Sequence, residues 1–599
     1  DIPISLRPVR FLQAFGRLAP GVTYAAAQQE LEAIASSLAE TYPDANAGVT
    51  AATVAPLRDW LVGDVRQALW VALGSVGLIL LLACSNVANL LLARSTARMR
   101  EVAVRMSLGA PSERIVRQLL TESALLATIG GLLGVALAWL ATRTLSGTAD
   151  SLLPRGGEIG LDASVLGIAL LVTVLVPALA GLLPAVRGAQ VAPAGELRGG
   201  RGGGREGIRL RRALVGAEVT LAVLVLIGAG LLGRSLLELA RVDPGFETEN
   251  RIAMTLTIAD MKHPERSAWM GIYHEILDRI EAHPEVVSAG AIRYLPFRGD
   301  GEALPVRVEG LYEPSPEEQR YARMFQVSEG LFDALGVRLL RGRVVTRADG
   351  PDDPLVVVVN EAFQRAFFAG EDPVGRRFSV GGGDGAPQAE IIGVVADVRH
   401  GGLAEEADPA AYVRNDQVPR IQMSYVVHAG SDPLALVGVL RGIVREVDPD
   451  QAITEIVPLA DLAEAELARP RFFTTLLGIF AVLALTLAAV GVYGVLAYLV
   501  RSSMRETGLR LALGASAGRV AAEVVGQGMR PVLAGLALGL AIATLLSGFV
   551  RSLLYGVEPL DLATFGLVAG VLAFVAVLAC LVPAWFATRV DPMVSIRGE

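Results

Sequence analysis

Lysine is all but absent from this chain: of 53 basic residues among 599, only Lys262 is a lysine. A phosphate-cradling P-loop needs Gly-x-x-x-x-Gly-Lys-Ser/Thr, with the lysine reaching the phosphates. Lys262 sits in Asp260-Met261-Lys262-His263-Pro264, with no such loop, so ATP hydrolysis by that route is excluded for this chain. Charge of either sign is scarce too: 19% of residues are charged against 52% hydrophobic, too apolar a balance for an ordinary soluble multidomain enzyme. The two cysteines, Cys84 and Cys580, both fall inside long apolar runs. A small buried thiol is the expectation there, and neither reports on a redox compartment. The five histidines, His263, His274, His283, His400 and His428, show no pairing at metal-ligand spacing, so nothing asks for a metal site.

What the chain does have is apolar length. A bilayer core takes about 20 apolar residues of helix, and stretches near 69–93, 119–145, 162–184, 213–237, 472–500, 528–550 and 562–584 qualify. A soluble insert, 238–470, separates the fourth from the fifth. The loop 94–118 carries Arg94, Arg98, Arg100, Arg105, Arg114 and Arg117, whereas 146–161 carries only Arg155. Arginine-rich loops stay in the cytoplasm, which puts the insert outside and the C-terminus inside.

The chain also repeats itself. Met99-Arg100-Glu101-Val102-Ala103-Val104-Arg105-Met106-Ser107-Leu108-Gly109-Ala110 returns as Met504-Arg505-Glu506-Thr507-Gly508-Leu509-Arg510-Leu511-Ala512-Leu513-Gly514-Ala515. Each copy is a charged segment between two apolar runs, suited to a handle gripped by a cytoplasmic protein rather than to a lipid-facing element. Glu101 with Arg105, and Glu506 with Arg510, stand at i,i+4 with the acid first, an order that stabilises an exposed helix by about 0.2–0.5 kcal/mol. Gly109 and Gly514 supply a helix stop, and Ser112 and Ser516 are placed to cap the next helix. The competing reading is an interfacial amphipathic helix.

The register extends outward, with Leu183-Pro184-Ala185 paralleling Val582-Pro583-Ala584 and Val54-Ala55-Pro56 paralleling Ile456-Val457-Pro458. The first unit therefore begins inside an external domain. An opening span upstream of it is expected, and the parity of the spans requires the same. Within the first span, Ser85, Asn86 and Asn89 stand opposite Gly491 and Gly494 of the second copy; polar groups at such depth usually bond between helices, and glycines allow close approach, so packing is the expectation and a transport site the alternative. No catalytic constellation emerges. Gly514-Ala515-Ser516-Ala517-Gly518 has the nucleophile-elbow pattern but lies in a cytoplasmic turn rather than after a sheet strand. Gly202-x-Gly204-x-x-Gly207 lacks the strand a dinucleotide site needs and reads as part of a flexible linker.

The insert alternates strand and helix signals. Strands are expected at 251–258, 354–359, 389–398, 421–428 and 451–457, with helices at 266–283, 360–369 and 432–447. The N-terminal fragment shows a strand near 10–18, a helix near 23–41 with Ala27, Leu31, Ile34 and Leu38 on one face, and a strand near 49–56. The expected organisation is a partial extracytoplasmic domain (1–66), a three-span domain (67–197), a cytoplasmic Gly/Arg-rich linker (198–212), a span (213–237), an extracytoplasmic domain (238–470) and a second three-span domain (471–599). The fold class is an α-helical integral membrane protein with α+β extracytoplasmic domains.

Three groups of residues make the chain resemble a known family. These are the Met-Arg-Glu-x-x-x-Arg-x-x-Leu-Gly-Ala handles, Ala83-Cys84-Ser85-Asn86-Val87-Ala88-Asn89-Leu90-Leu91-Leu92-Ala93-Arg94, and Val359-Asn360-Glu361-Ala362-Phe363 with Gly370-Glu371-Asp372-Pro373-Val374-Gly375-Arg376-Arg377-Phe378. They resemble the FtsX-like, MacB-type permeases of ABC transporters, and the tandem arrangement is similar to the duplicated acidobacterial ones. The resemblance implies two FtsX-like units in a bacterial inner membrane. An ATPase dimer would dock on Met99, Arg100, Glu101, Arg105, Leu108 and Gly109 and on Met504, Arg505, Glu506, Arg510, Leu513 and Gly514. ATP and Mg2+ would sit on that partner and no cofactor on this chain. Membrane lipid and a periplasmic adaptor or envelope protein are the other expected partners, with no nucleic acid, and one chain would act as a pseudo-dimer. An ATP-independent membrane scaffold is the alternative from another class.

Overall fold

The computed structural model describes residues 14–42, 53–107, 111–152, 160–174, 203–258, 266–299, 301–308, 310–312, 320–380, 387–502, 510 and 516–588. These fall into two compact units, one of residues 1–60 and 239–468, the other of 61–238 and 469–599.

The membrane unit is helical: α2 (Leu57–Ser107), α3 (Ser112–Leu152), α4 (Ala163–Val174), α5 (Gly203–Leu239), α10 (Leu459–Ser502), α11 (Ala517–Leu546) and α12 (Leu562–Thr588). Six of these are long and apolar enough to cross a bilayer; α4 is shorter over its described part, and the rest of the expected third span lies outside the described residues. Several helices outrun the apolar stretches that announced them. At 51 residues, α2 reaches about 75 Å at 1.5 Å per residue, far beyond a hydrocarbon core of about 30 Å. Hydropathy registers only the lipid-facing part of such a helix. Of the expected linker 198–212, residues 198–202 lie outside the described residues and the rest is corrected: helix α5 begins at Gly203, because Arg205-Glu206-Gly207-Ile208-Arg209-Leu210-Arg211-Arg212 is rich in helix formers despite its glycine.

Helix α5 is the hub of this unit. Val215, Val219, Ala222, Val223, Leu226 and Ile227 form one core with Leu82 of α2, Ala484, Ala488, Val492 and Leu496 of α10, Val532 and Ala543 of α11, and Val568, Leu572 and Ala576 of α12. Over half (56%) of its most apolar window is buried, against 0% for α3. Close packing is licensed by missing side chains: a Cβ on Gly535 would lie 2.3 Å from the Gly216 carbonyl oxygen and one on Gly539 2.7 Å from Val223.

The external unit is α+β. Strands β1 (Arg251–Thr257), β2 (Val286–Ile292), β10 (Gln422–Ala429) and β11 (Ile453–Pro458), with helices α6 (Arg266–Glu281) and α9 (Val437–Val447), follow the chain order β-α-β…β-α-β. They pair antiparallel in the order β11-β1-β10-β2, the split arrangement of two interleaved strand–helix–strand units. Alternation sorts the faces. Ile252, Met254 and Leu256 of β1 and Tyr425 and Val427 of β10 meet Ile276, Leu277 and Ile280 of α6 and Leu440 and Val444 of α9, while Ala253 and Val426 face a second core.

Between β2 and β10 the chain builds β3 (Glu302–Arg307), β4 (Tyr321–Val327), β5 (Leu339–Gly342), β6 (Val356–Asn360), β7 (Arg377–Val380), β8 (Gln388–Val395) and β9 (Ala410–Arg414), with short helices α7 (Leu331–Leu335) and α8 (Glu361–Phe367). The ladder β4-β3-β7-β8-β6-β9 closes because β9 pairs in parallel with β4. Closure leaves these six strands no free edge to template association. Val306, Met324, Val357, Val359, Phe363, Phe378 and Val413 pack together beside it.

In the N-terminal fragment the helix is present as α1 (Tyr24–Thr41), capped by Thr23, whose side chain accepts from the Ala26 amide. The two strands expected beside it are corrected over their described parts: 14–18 and 53–56 are not strand. A short strand needs a neighbour to complete its hydrogen bonds, and among the described residues none lies beside these segments.

Candidate functional site

The handles fall largely at the edge of what is described. Helix α2 continues through Met99, Arg100, Glu101 and Arg105 to Ser107; the side chains of this stretch, and Leu108, Gly109 and Ala110, lie outside the described residues. So do Met504, Arg505, Glu506, Leu513 and Gly514. Arg510 is described, and its Nη1 donates to Glu523 Oε2 of α11 at 2.8 Å, a half-exposed pair. Ser516 occupies the N-cap position of α11, yet its side chain makes no capping bond, a correction to the expected role. Ser112 is the first residue of α3 rather than its cap.

The polar residues of the first span converge with residues of the second copy. Asn86 Nδ2 donates to the Leu487 carbonyl of α10 at 2.8 Å, and Asn89 Nδ2 donates to Glu218 Oε1 of α5 at 2.8 Å. Gly491 closes the cluster: a Cβ there would stand 1.8 Å from Glu218 Oε2 and 3.0 Å from Asn86 Oδ1. Gly494 has open space around it and takes no part. Asn86 and Gly491 are the same position in the two copies, 405 residues apart, and they touch. Positions related by a twofold relation meet themselves only on its axis.

Glu218 is the residue that sequence reasoning passed over. Its side chain is fully buried at 0% exposure. Scoring the span by average hydropathy hid it, although it is the single acidic residue of the stretch 213–237. An ionisable residue inside a span marks a functional site by default, and that signal was present.

At the start of α2, Gln67 reaches the second copy as well. Its Nε2 donates to the Phe549 carbonyl and its Oε1 accepts from Ser552 Oγ. In the external unit the polar features are structural. His400 is buried, stacked on Phe325 at 3.9 Å between centroids and bonded to the Tyr412 hydroxyl at 3.0 Å; burial pushes its imidazole down to about 3. His274 pairs with Asp416 at 3.1 Å, and that hydrogen bond raises the histidine against the opposing effect of burial. A cavity lined by Asp243, Glu247, Arg338, Arg365, Asp397 and Arg399 mixes both signs of charge, with Arg365 already bonded to Asp397 at 2.7 Å. Among the described residues, no three His, Cys, Asp or Glu side chains come together as metal ligands.

Comparison with known proteins matches this architecture. The model of the FtsX-like permease C-terminal family fits residues 74–193 and again 478–592, and that of the MacB-like periplasmic core domain fits 219–457. The chain belongs to the FtsX-like, MacB-type ABC permeases. Two FtsX-like matches in one sequence make this permease a tandem duplication, a multi-pass inner-membrane protein with an α+β periplasmic domain. It is 24% identical over 282 residues to the macrolide export ATP-binding/permease protein MacB of Hahella chejuensis, covering 46% of the permease and 42% of that protein. It is 32% identical over 138 residues to the uncharacterized ABC transporter permease YknZ of Bacillus subtilis, covering 23% and 33%. The alignments thus span less than half the length of either relative. The periplasmic region of MacB from Actinobacillus actinomycetemcomitans is similar at 16% identity, over 37% of the permease and 93% of that structure, with a TM-score of 0.26.

Proposed function

We propose that this permease is the membrane subunit of an ABC-type export or mechanotransmission system, in which a separate ATPase dimer grips the handles 99–110 and 504–515 and the helices carry the motion outward. The observation that carries the reading is the meeting of Asn86 with Gly491 between α2 and α10. Each of these helices runs without a break toward one handle, α2 through Ser107 and α10 to Ser502. A displacement of either handle is therefore levered directly onto the contact between the copies. The equivalence of the touching positions supports one chain acting as a pseudo-dimer, and the arginine-rich loop 94–118 supports a cytoplasmic C-terminus.

The test begins with purification of the full chain from its native membrane and identification of co-purifying ATPase subunits. Charge reversal at both Glu101 and Glu506 is expected to abolish the ATPase stimulation that the wild-type permease gives. Unchanged stimulation in that double variant would remove the docking role. Absence of any ATPase at handle-directed crosslinks would favour an ATP-independent scaffold.

A further inference from the structure

Two arginines of the membrane unit answer carboxylates: Arg234 of α5 pairs with Asp561 at 2.5 Å, and Arg510 with Glu523 at 2.8 Å. Arg209 and Arg212 of α5 and Arg530 of α11, by contrast, form no hydrogen bond or ion pair with any described residue. Arg209 and Arg212 stand at i,i+3 and share one face of α5, as Gln527 and Arg530 share one face of α11. The two faces meet. Arg212 lines a crevice with Gln527 and Pro531 of α11 and Leu496 and Leu499 of α10, and one turn along α5 a Cβ on Gly216 would lie 3.5 Å from the Pro531 carbonyl oxygen. Arg211 adds positive charge beside them, its guanidinium over the Tyr498 ring at 3.6 Å.

Arg212 is half-buried, and its Nε is sealed from solvent without an acceptor. An arginine cannot shed its proton, so a buried one needs an anion beside it. Among the described residues the surrounding helices supply none. Glu218 accepts from Asn89, Glu523 is held by Arg510, the acids of α10 are Asp461, Glu464 and Glu466 near its opposite end, and α12 has none. The depth of the cluster indicates the source of the missing charge. The apolar stretch of α5 starts at Ala213, directly after Arg212, so these guanidinium groups lie where a bilayer carries its phosphates. An arginine on a lone interfacial helix would instead extend its head into water.

We propose that Arg209, Arg212 and Arg530, with the Gln527 amide, bind the phosphodiester of an anionic phospholipid where α5, α10 and α11 meet. Binding changes no covalent bond, and the acyl chains stay in the bilayer. Tyr498 and Leu499 stand just before the end of α10 at Ser502, so the bound headgroup ties α5 to α11 at the root of the second handle. Lipid charge thereby sets how freely that handle moves.

The test uses the full chain in nanodiscs of phosphatidylcholine with a minor share of phosphatidylglycerol, extracted into detergent and weighed by native mass spectrometry. Phosphatidylglycerol is expected to stay on the wild type in preference to phosphatidylcholine. Arg209→Gln and Arg530→Gln change exposed side chains, and each is expected to weaken retention about fivefold. Arg551→Gln, beyond the far end of α11, removes the same charge and should leave retention unchanged. Equal retention of the two lipids, or an equal loss in Arg551→Gln, overturns the proposal. Inorganic phosphate is the second probe and is expected not to displace the lipid. Displacement by phosphate at matched concentration would assign a free-anion site and overturn the lipid reading.

Discussion

On α11 of the second copy, Gly528, Val532, Gly535, Gly539 and Ala543 are buried, and Gly535 and Gly539 meet Gly216, Val219, Thr220 and Val223 of α5. On α3 of the first copy the positions in register are Ser123, Ala127, Gly130, Gly134 and Ala138, the same small-residue stripe 405 residues earlier. There Gly130, Gly134 and Ala138 are exposed, and a Cβ on either glycine would meet nothing within 4 Å. The external helices differ in the same sense. Leu440 and Val444 of α9 are buried against α6 and the sheet, while α1 buries no residue at all. A stripe of small residues or an apolar face thus specifies where a helix will be received, and the burial itself comes from the receiving element, α5 in one case and the β1–α6–β2 half-domain in the other.

Substitutions matched across the copies sharpen that contrast. The largest difference is expected in the external domains: Leu440→Ala should cost about 2–5 kcal/mol, the usual range for emptying a packed core site, whereas Leu38→Ala in α1 should stay within about 0.5 kcal/mol. Thermal unfolding of the full chain measures both, and equal losses would break the comparison. Next comes the stripe. Gly535→Leu drives a side chain into the Gly216 backbone and should cost about 1–3 kcal/mol, while Gly130→Leu should be close to neutral.

Acid sensitivity should also belong to the second copy, because all five histidines lie between residues 263 and 428. His400 holds its proton less tightly when folded, so its contribution is intact above the ordinary histidine value of about 6.5. It is lost as pH falls toward about 3, at about 1.4 kcal/mol per pH unit. His400→Phe keeps an aromatic ring on Phe325 and should flatten the near-ultraviolet acid transition in that window; an unchanged slope would count against the buried neutral imidazole. The smallest effect is at the contact between the copies, where Asn86→Leu removes one interhelical hydrogen bond worth about 0.6 kcal/mol, readable as a slight fall in unfolding temperature.

The sequence made much of this legible. Continuous apolar runs announced the spans, since a bilayer leaves the backbone few alternatives, and β1, β6, β8 and β10 stood out as strands because both their faces are buried. Ser85, Asn86 and Asn89 stand out as polar residues inside a span, with Gly491 opposite them in the internal register; the structure puts Ser85, Asn89 and Gly491 beside Glu218 and Asn86 next to Gly491. The partner acid itself was missed, because an average over a span hides one residue. Closure of β4 onto β9 was not legible either, since it joins Tyr321–Val327 to Ala410–Arg414 across intervening strands, and local periodicity carries no record of such pairing. The strands expected in the N-terminal fragment failed for a related reason: strand propensity is realised only beside a partner strand.

The central claim is that the two three-span copies face one another within a single chain. Gln67 of the first copy, half-buried, and Ser552 of the second, exposed, are bonded to each other, so cysteines at these positions, in a chain whose Cys84 and Cys580 are replaced by alanine, should crosslink on mild oxidation at the size of one chain and release on reduction. A pair that fails to crosslink, or that joins only separate chains into dimers, would contradict the account.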